Sequence, residues 1–367
     1  MIDDRTRPAP TAVQHLLDRA VAEQGYPGMS AALREGERLR FGSAGAADLH
    51  SGRTWRPEDQ FRIGSITKTF TATVVLQLAA ERRLSLDDTV DRWLPGLVRG
   101  NGHDGTEITI RHLLAQTSGI FGYTLDQDWL DRFWSPNLLE HRFEKVAPEE
   151  LVRIAMAHPA EFRPGQGWGY SNTNFVLAAL IIERVTGASY AQAIEHRIAR
   201  PLKLANTYAP GYRTGFHGPH IRAYSRLSVQ DPQAPTHDMT ELSTSWSFGA
   251  GDIVSTAGEL TAFLAALLGG RLLKPAQLAE MLTMCRVPDG SWLDGYEYGL
   301  GLSSFTLPGG TTVYGHGGAT IGTWSYLYGS RDGGKVMVQA VNGDWGPLFP
   351  LFTEGLDTAF SSGGRLP

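Results

Sequence analysis

The stretch Phe61-Arg-Ile-Gly-Ser-Ile-Thr-Lys-Thr-Phe70 places Ser65 three residues before Lys68. Neither Gly nor Pro occurs between Ser65 and Leu84, and apolar residues recur at helical spacing, which predicts a helix: Ile66, Phe70, Val74 and Leu78. Residues three apart on a helix share a face, so the Ser65 hydroxyl and the Lys68 amine are expected within hydrogen-bond reach. Ser65 would also lie in the first turn, where free N–H groups and the helix dipole favour negative charge.

This spacing matters because a serine hydroxyl is a poor nucleophile until a base removes its proton. A lysine amine acts as that base only when burial or nearby cations lower its pKa. The alternative is a surface lysine on an ordinary amphipathic helix. The chain has five lysines, and only Lys68 has a serine three residues before it. The pair is therefore a candidate nucleophile and base, on a motif that is weak when it stands alone.

Length and composition are those of an ordinary soluble globular protein. The chain has 367 residues, 42% of them hydrophobic and 19% charged, and its net charge is −5. No long run of one charge sign occurs, so neither a nucleic-acid partner nor an anionic membrane is predicted. Cys285 is the only cysteine, which excludes an intrachain disulfide, and we expect a small buried hydrophobe there.

The sequence shows neither a targeting segment nor a set of metal ligands. The stretch Met1–Pro10 is charged and lacks the apolar core of a signal peptide, and apolar runs such as Phe175–Ile182 are too short to span a bilayer. The sequence as given therefore predicts a cytoplasmic protein. His217 and His220 lie three apart, but no Cys or Glu cluster near them completes a metal set. We predict no metal and no cofactor.

The order of elements predicts the fold. Strand patterns occur at both ends: a hairpin of Met29–Arg34 with Arg38–Ala44, and later strands over Tyr296–Leu307, Thr311–His316, Trp324–Ser330 and Lys335–Asn342. Helical patterns fill the region between them. We predict an α+β fold in which one antiparallel sheet, flanked by helices, is built from both termini around an inserted all-helical region. The predicted domains are 1–75 with 246–367, and 76–245, with the active site between them.

Two further segments are ambiguous when taken alone. The segment Phe121–His141 is rich in aromatic residues, and it either walls a pocket or packs as a loop against the body. The triplet Tyr170-Ser171-Asn172 precedes a strongly apolar helix over Thr173–Thr186 that Gly187 ends. In isolation, Asn172 is better explained as a helix cap than as a site residue.

The motifs together resemble the class C β-lactamase and serine DD-carboxypeptidase superfamily of penicillin-recognising enzymes. The resemblance lies in Ser65-Ile-Thr-Lys68, Tyr170-Ser-Asn172 and His316-Gly-Gly318, in that order and at that spacing. Other matching stretches extend it over most of the chain: Ile110–Gly119, Pro164-Gly165, Ser171–Phe175, Pro201-Leu202 and Tyr298–Leu302.

The resemblance implies a role for each matching residue. Ser65 is expected to attack a carbonyl and become acylated, while Lys68 and Tyr170 share the proton transfers. Lys68, helped by His316, would be the cation that stabilises a Tyr170 phenolate. Asn172 is expected to hydrogen-bond to Lys68 and to a substrate amide.

The resemblance also implies a substrate-binding surface. The backbone N–H groups of Ser65 and Ala319 would form the oxyanion hole. The residues expected to contact the substrate are Gly317, Gly318, Trp246, Tyr123 and Ser303.

The chain departs from the superfamily at the site that grips a substrate carboxylate. An arginine and two threonines of the carboxypeptidases fall on Ser303, Gly317 and Ala319, so the charged contacts are missing. Such a chain resembles the esterases, D-amino-acid amidases and acyltransferases of the superfamily.

We therefore predict a serine acyl-enzyme hydrolase of an ester, amide or thioester of a small molecule or short peptide. The alternatives are an ATP-independent acyltransferase, for example in ester exchange, amide formation or peptide cyclisation, and a non-catalytic binding or sensor protein on the same fold. Neither the acyl donor and acceptor nor the oligomeric state follows from the sequence.

Overall fold

A nine-stranded sheet is the centre of the computed structural model, which describes residues 6–228, 231 and 233–361. Residues 1–5 of the charged N-terminal stretch lie outside the described part. The strand order is β1-β3-β2-β15-β14-β13-β12-β11-β10, and neighbours are antiparallel except for β1 and β3. The strands of this sheet are β1 (Thr6–Pro8), β2 (Gly28–Glu35), β3 (Arg38–Gly45), β10 (Cys285–Arg286), β11 (Glu297–Tyr298), β12 (Ser303–Thr306), β13 (Thr312–Thr320), β14 (Thr323–Gly329) and β15 (Lys335–Val341).

The other strands form three short pairs in the described residues. They are β4 (Gln60–Arg62) with β9 (Val254–Thr256), β5 (Arg99–Gly100) with β6 (His103–Asp104), and β7 (Tyr224–Ser225) with β8 (His237–Asp238). The first pair joins the chain just before Ser65 to the chain that follows the helical region.

Helices cover both faces of the sheet and fill most of the sequence between β4 and β9. The α-helices are α1 (Thr11–Gln24), α2 (Thr67–Ala80), α3 (Val90–Trp93), α4 (Ile110–Leu114), α5 (Gln127–Phe133), α6 (Leu138–His141), α7 (Pro148–Met156), α8 (Asn172–Thr186), α9 (Tyr190–Ile194), α10 (Arg200–Leu202), α11 (Ala257–Leu268), α12 (Pro275–Met281) and α13 (Leu348–Ser361). Short 3₁₀ turns occur at Gly64–Ile66, Tyr123–Leu125 and Ser245–Ser247, and a π-helical turn occurs at Glu195–Ala199.

The alternation of side chains along the strands divides the core between the two faces of the sheet. On β15, Met337 and Val341 belong to a cluster that includes Phe352 of α13, while Val336 and Val338 belong to another. The second cluster contains most of α2, α8 and α11. The sheet is therefore covered by α1 and α13 on one face and by the helices that carry the site on the other.

These elements confirm the predicted α+β fold, with a mainly antiparallel sheet flanked by helices and built from both ends of the described chain. The division into domains 1–75 with 246–367 and 76–245 stays a prediction. Among the described helices, none combines the length and the apolar character that crossing a bilayer requires.

Two local predictions are wrong. The single strand expected over Tyr296–Leu307 is two strands, β11 and β12, that pair with each other across a turn, with Tyr298 opposite Ser303. Gly301 in this turn has φ +77°, and a Cβ there would collide with the Ala72 side chain. Cys285 is exposed on the edge strand β10, not buried, because that edge has no neighbour in the described sheet.

Candidate active site

Ser65 and Lys68 lie together at the start of α2. Ser65 is in the 3₁₀ turn Gly64–Ile66, one turn before the helix proper, and Lys68 is the second residue of α2. The Lys68 Nζ lies 2.9 Å from the Ser65 Oγ. The helical spacing seen in the sequence therefore places the Lys68 amine within hydrogen-bond distance of the Ser65 hydroxyl.

Lys68 is fully buried, which is unusual for a lysine. Its Nζ also donates to the Ala250 carbonyl oxygen at 2.8 Å, and it lies 5.7 Å from the centre of the Phe175 ring. Burial lowers the pKa of Lys68 well below its ordinary value, because a charged amine loses its hydration there. A neutral amine beside a serine hydroxyl is a competent proton acceptor.

Tyr170 completes this group from the loop before α8. The Lys68 Nζ lies 4.9 Å from the centre of the Tyr170 ring, and the Tyr170 hydroxyl is hydrogen-bonded to Ser65. Burial raises the pKa of Tyr170, and the bond to Ser65 only partly opposes this. The phenol is therefore held in its protonated form, in which it donates a proton.

His316 lies beside these residues on β13, but it is not the additional cation expected from the sequence. Burial and the nearby Lys68 lower its pKa to about 3, so the imidazole is neutral at neutral pH. Nδ1 lies against the Gly317 carbonyl oxygen, which places the proton on that nitrogen. Nε2 then accepts from the Tyr298 hydroxyl at 3.1 Å.

Asn172 is the first residue of α8, and Ser171 occupies the cap position. Its Nδ2 donates to Thr124 Oγ1 at 3.2 Å, and the described hydrogen bonds of the Lys68 amine go to Ser65 and Ala250 instead. The expected contact between Asn172 and Lys68 is therefore not made. The Asn172 side chain lines the same cavity as Ser65 and Tyr170.

The end of β13 packs directly on the turn that carries Ser65. A Cβ on Gly64, which has φ +54°, would lie 2.6 Å from the Ala319 backbone N and O. A Cβ on Gly318 would collide with the Ile63 carbonyl oxygen. These close approaches bring the Ala319 backbone to the turn that carries Ser65, and the oxyanion hole formed by the Ser65 and Ala319 N–H groups stays a prediction.

A cavity of about 310 Å³ opens at Ser65, and five of the fourteen residues that line it are aromatic. Its walls include residues of the aromatic segment and of the Ser245–Ser247 turn: Tyr123, Trp129, Trp134 and Trp246. The Nε1 groups of Trp129 and Trp246 are buried without a hydrogen-bond partner. The aromatic walls of the cavity can therefore take an apolar ring.

The other predicted substrate contacts lie outside this cavity. Gly317 and Gly318 pack against the Tyr326 ring and the Ile63 carbonyl oxygen, respectively. Ser303 is fully buried, and its hydroxyl contacts the Gly315 carbonyl oxygen at 3.1 Å and the Tyr328 hydroxyl at 2.8 Å. Among the described residues that line the cavity, none is an arginine.

Sequence reasoning missed three contributors to the site. The Ala250 carbonyl oxygen carries no side-chain signal, and Asp252, two residues later, is a buried carboxyl that accepts a hydrogen bond from Gly249 N. Trp292 stacks on Tyr170, with ring centres 5.2 Å apart and planes inclined by 11°. Its sequence neighbourhood, Pro288-Asp-Gly-Ser-Trp292, is that of an ordinary loop.

No group of three or more His, Cys, Asp or Glu in the described residues is placed to hold a metal ion. His217 stacks on Tyr208 and His220 on Phe216, with ring centres 4.0 Å and 4.6 Å apart.

Comparison with known proteins identifies the family. Residues 13–350 match the family model described as Beta-lactamase. The chain is 39% identical to an esterase, EstB, of Burkholderia gladioli over 52% of this chain and 48% of the esterase, and so spans about half the length of that relative. It is 26% identical to penicillin-binding protein 4* of Bacillus subtilis, over 90% of this chain and 71% of that protein.

Solved structures agree over nearly the whole chain. A D-stereospecific amidohydrolase from Streptomyces sp. is 44% identical with a TM-score of 0.88, covering 98% of this chain and all of the other. The D-amino acid amidase of Ochrobactrum anthropi, in its complex with L-phenylalanine amide, is 27% identical with a TM-score of 0.81, covering 94% and 97%. The chain belongs to the β-lactamase family, as the sequence motifs indicated, and is a serine hydrolase of that fold.

Proposed function

We propose that this member of the β-lactamase family hydrolyses small amides and esters of D-configured aromatic amino acids through an acyl-enzyme on Ser65. The observation that carries the proposal is the Ser65–Lys68–Tyr170 group at the mouth of an aromatic cavity without an arginine. The group supplies a nucleophile, a base and an acid, and the cavity selects the acyl part.

Acylation begins when Ser65 Oγ attacks the substrate carbonyl carbon and its proton passes to the neutral Lys68 amine. The carbonyl oxygen becomes an oxyanion between the Ser65 and Ala319 backbone N–H groups. The bond to the leaving group then breaks, and the Tyr170 phenol gives that group its proton. The Lys68 ammonium returns its proton to Tyr170, so both groups are neutral again when the amine or alcohol departs.

Deacylation runs through the same groups. A water molecule attacks the acyl carbon while its proton passes to Lys68 by way of Tyr170. When the ester bond to Ser65 breaks, the Lys68 ammonium returns the proton to the Ser65 oxygen. This assignment differs from the phenolate expected at first, because burial favours the protonated phenol and the neutral amine.

The cavity and the relatives together support the proposed substrate class. A primary amide releases ammonia and a methyl ester releases methanol, so the bulk of such a substrate is its acyl part, and the aromatic walls suit an aromatic side chain. The D configuration is supported by the similarity to the D-stereospecific amidohydrolase over 98% of this chain.

The test is intact-mass spectrometry of the protein mixed with the methyl esters and amides of D- and L-phenylalanine. We expect an adduct of the acyl mass, mapped to Ser65, and faster turnover of the D forms. S65A should lose both the adduct and turnover, while the control S51A, which changes an exposed serine that does not line the cavity, should keep them. An adduct on another residue, or a preference for the L forms, would contradict the proposal.

A further inference from the structure

Trp292 covers the catalytic tyrosine from outside the cavity. It lies at the tip of the hairpin between β10 and β11, at the edge of the sheet, while its ring stacks on Tyr170. The same indole ring lies 5.9 Å from His316 and 5.7 Å from Tyr298, centre to centre. Trp292 does not line the aromatic cavity that takes the acyl group.

The loop that carries Trp292 is closed and internally bonded. Val287 N donates to the Tyr296 carbonyl oxygen at 3.1 Å, which closes the hairpin. Within the loop, Arg286 is paired with Asp289 at 2.9 Å, and Gly290 N donates to Asp294 Oδ1 at 2.9 Å. A hairpin tip held in this way places one indole ring reproducibly on Tyr170.

We propose that Trp292 is a positioning residue that keeps water away from Tyr170 and so favours transfer of the acyl group to an amine with an apolar side chain over hydrolysis. This inference rests on the Ser65 acyl-enzyme of the proposed function. The acceptor class is inferred from the other side of the same indole, which is only partly buried and offers an apolar surface next to Tyr170.

The chemistry balances without another reactant. In transfer, the amine nitrogen forms a bond to the acyl carbon and the bond from that carbon to Ser65 Oγ breaks. One proton of the amine passes through Tyr170 and Lys68 to the Ser65 oxygen. Water and amine use the same proton path, so the choice between them depends on which one reaches the acyl carbon beside Tyr170.

Several titratable groups face Tyr170 and must be considered in any pH measurement. They are Lys68 from α2, His316 from β13, Tyr298 from β11 and Tyr123 from the cavity wall. On the hairpin that carries Trp292, Asp289 accepts from Arg286 and Asp294 accepts from Gly290 N. Removing the indole changes the hydration of Tyr170 first, because the indole stacks directly on that ring.

The experiment measures product partition with D-phenylalanine methyl ester as donor and benzylamine as acceptor. W292A should lower the ratio of amide to free acid several-fold, while W292F, which keeps a ring on Tyr170, should retain most of it. W93A is the matched control, because Trp93, the last residue of α3, is also partly buried, and its Nε1 donates to Asp88 away from the site. Its ratio should equal that of the unmodified protein.

A comparison of rates separates this role from a merely structural one. In W292A the rate of Ser65 acylation should change little, while hydrolysis of the acyl-enzyme should become faster relative to its capture by benzylamine; a damaged fold would slow all of these steps. A Ser65 adduct with unchanged partition in W292A would overturn the inference alone. Absence of a Ser65 adduct in the unmodified protein would overturn the proposed function and this inference with it.

Discussion

Lys68 donates a hydrogen bond to the carbonyl oxygen of Ala250 across 2.8 Å, although 182 residues separate them in the sequence. The turn that carries Ala250 is itself fixed, because Gly249 N donates to Asp252 Oδ1 at 3.1 Å and Thr71 Oγ1 donates to the Gly249 carbonyl oxygen at 2.7 Å. A backbone carbonyl thus orients the amine without adding a charge. The pKa of Lys68 stays low because burial removes the hydration of the charged amine, and none of the described carboxylates is paired with it.

The first prediction is that Lys68 and Tyr170 act as one proton-transfer unit. K68A and Y170F should each lower kcat/KM by about 10²–10⁴, the usual contribution of a general acid or base. The double variant should cost little more than either alone, because residues that act as a unit are not additive. Steady-state rates of the unmodified protein, the two single variants and the double variant complete the double-mutant cycle. Fully additive losses would show that the two groups act independently.

The second prediction concerns the stability contributed by Asp252. Burial raises the pKa of its carboxyl to about 7, against 3.8 as its ordinary value. Between these two pH values the carboxyl of Asp252 is protonated in the folded protein and ionised in the unfolded chain. The stability that Asp252 contributes is therefore complete below about pH 4 and is lost as the pH rises through about 7. D252N keeps an acceptor for Gly249 and never ionises.

Thermal melting at pH 5 and pH 8.5 checks this second prediction. The Tm of D252N relative to the unmodified protein should be higher at pH 8.5 than at pH 5. D18N is a control at an exposed carboxylate on α1, and its relative Tm should not change with pH in this way. Equal differences for D252N at both pH values would show that Asp252 is ionised throughout.

Local elements were predictable where a short-range signal fixed them. Helix α8 ends at Gly187, which has φ +72°, as the glycine after an apolar helix indicated. Thr109 caps α4 by accepting from His112 N. The Ser65–Lys68 contact also follows from the spacing of one turn, so the sequence was sufficient for it.

Contacts between distant segments were not predictable. The Lys68–Ala250 bond depends on a backbone atom, which leaves no residue type to recognise. The Trp292–Tyr170 stack joins the loop between β10 and β11 to the loop before α8, and neither loop carries a sequence pattern that pairs it with the other. The charge state of His316 depends on its burial beside Lys68, and sequence does not show burial.

The third prediction tests that neutral state of His316. Its pKa is lowered to about 3 in the fold, against 6.5 as its ordinary value, so the unfolded chain binds a proton between these values and the folded chain does not. The stability of the unmodified protein should therefore fall, through this residue, as the pH decreases from about 6.5. H316Q has no imidazole at this position and so lacks this contribution to the pH dependence of stability.

Denaturant unfolding at pH 7 and pH 4.5 measures the third prediction. The unmodified protein should lose more unfolding free energy between these pH values than H316Q loses. H50Q, a change at an exposed histidine after β3, controls for the loss of one histidine. Identical losses in H316Q and the unmodified protein would indicate that His316 is protonated in the fold.

The fourth prediction is poor activity on substrates with a free carboxylate at the leaving side. Ser303 is buried and engaged with Tyr328, and Gly317 and Ala319 have no side chain that reaches a carboxylate. Charge-assisted hydrogen bonds of the missing kind contribute about 1.5–3 kcal/mol each, and a desolvated carboxylate without a partner is costly. A peptide ending in D-Ala-D-Ala should therefore have a kcat/KM roughly 10- to 100-fold below that of its methyl ester.

An advantage for the free acid would require a cation from elsewhere in the chain, and the structure limits the choice. Arg222 is paired with Asp48 and Asp238, and the Arg226 guanidinium lies 4.4 Å from the centre of the Trp345 ring. Releasing either one would cost its present contacts. R222A and R226A should therefore leave the ratio of acid to ester unchanged, and a change in either variant would identify that arginine as the carboxylate partner.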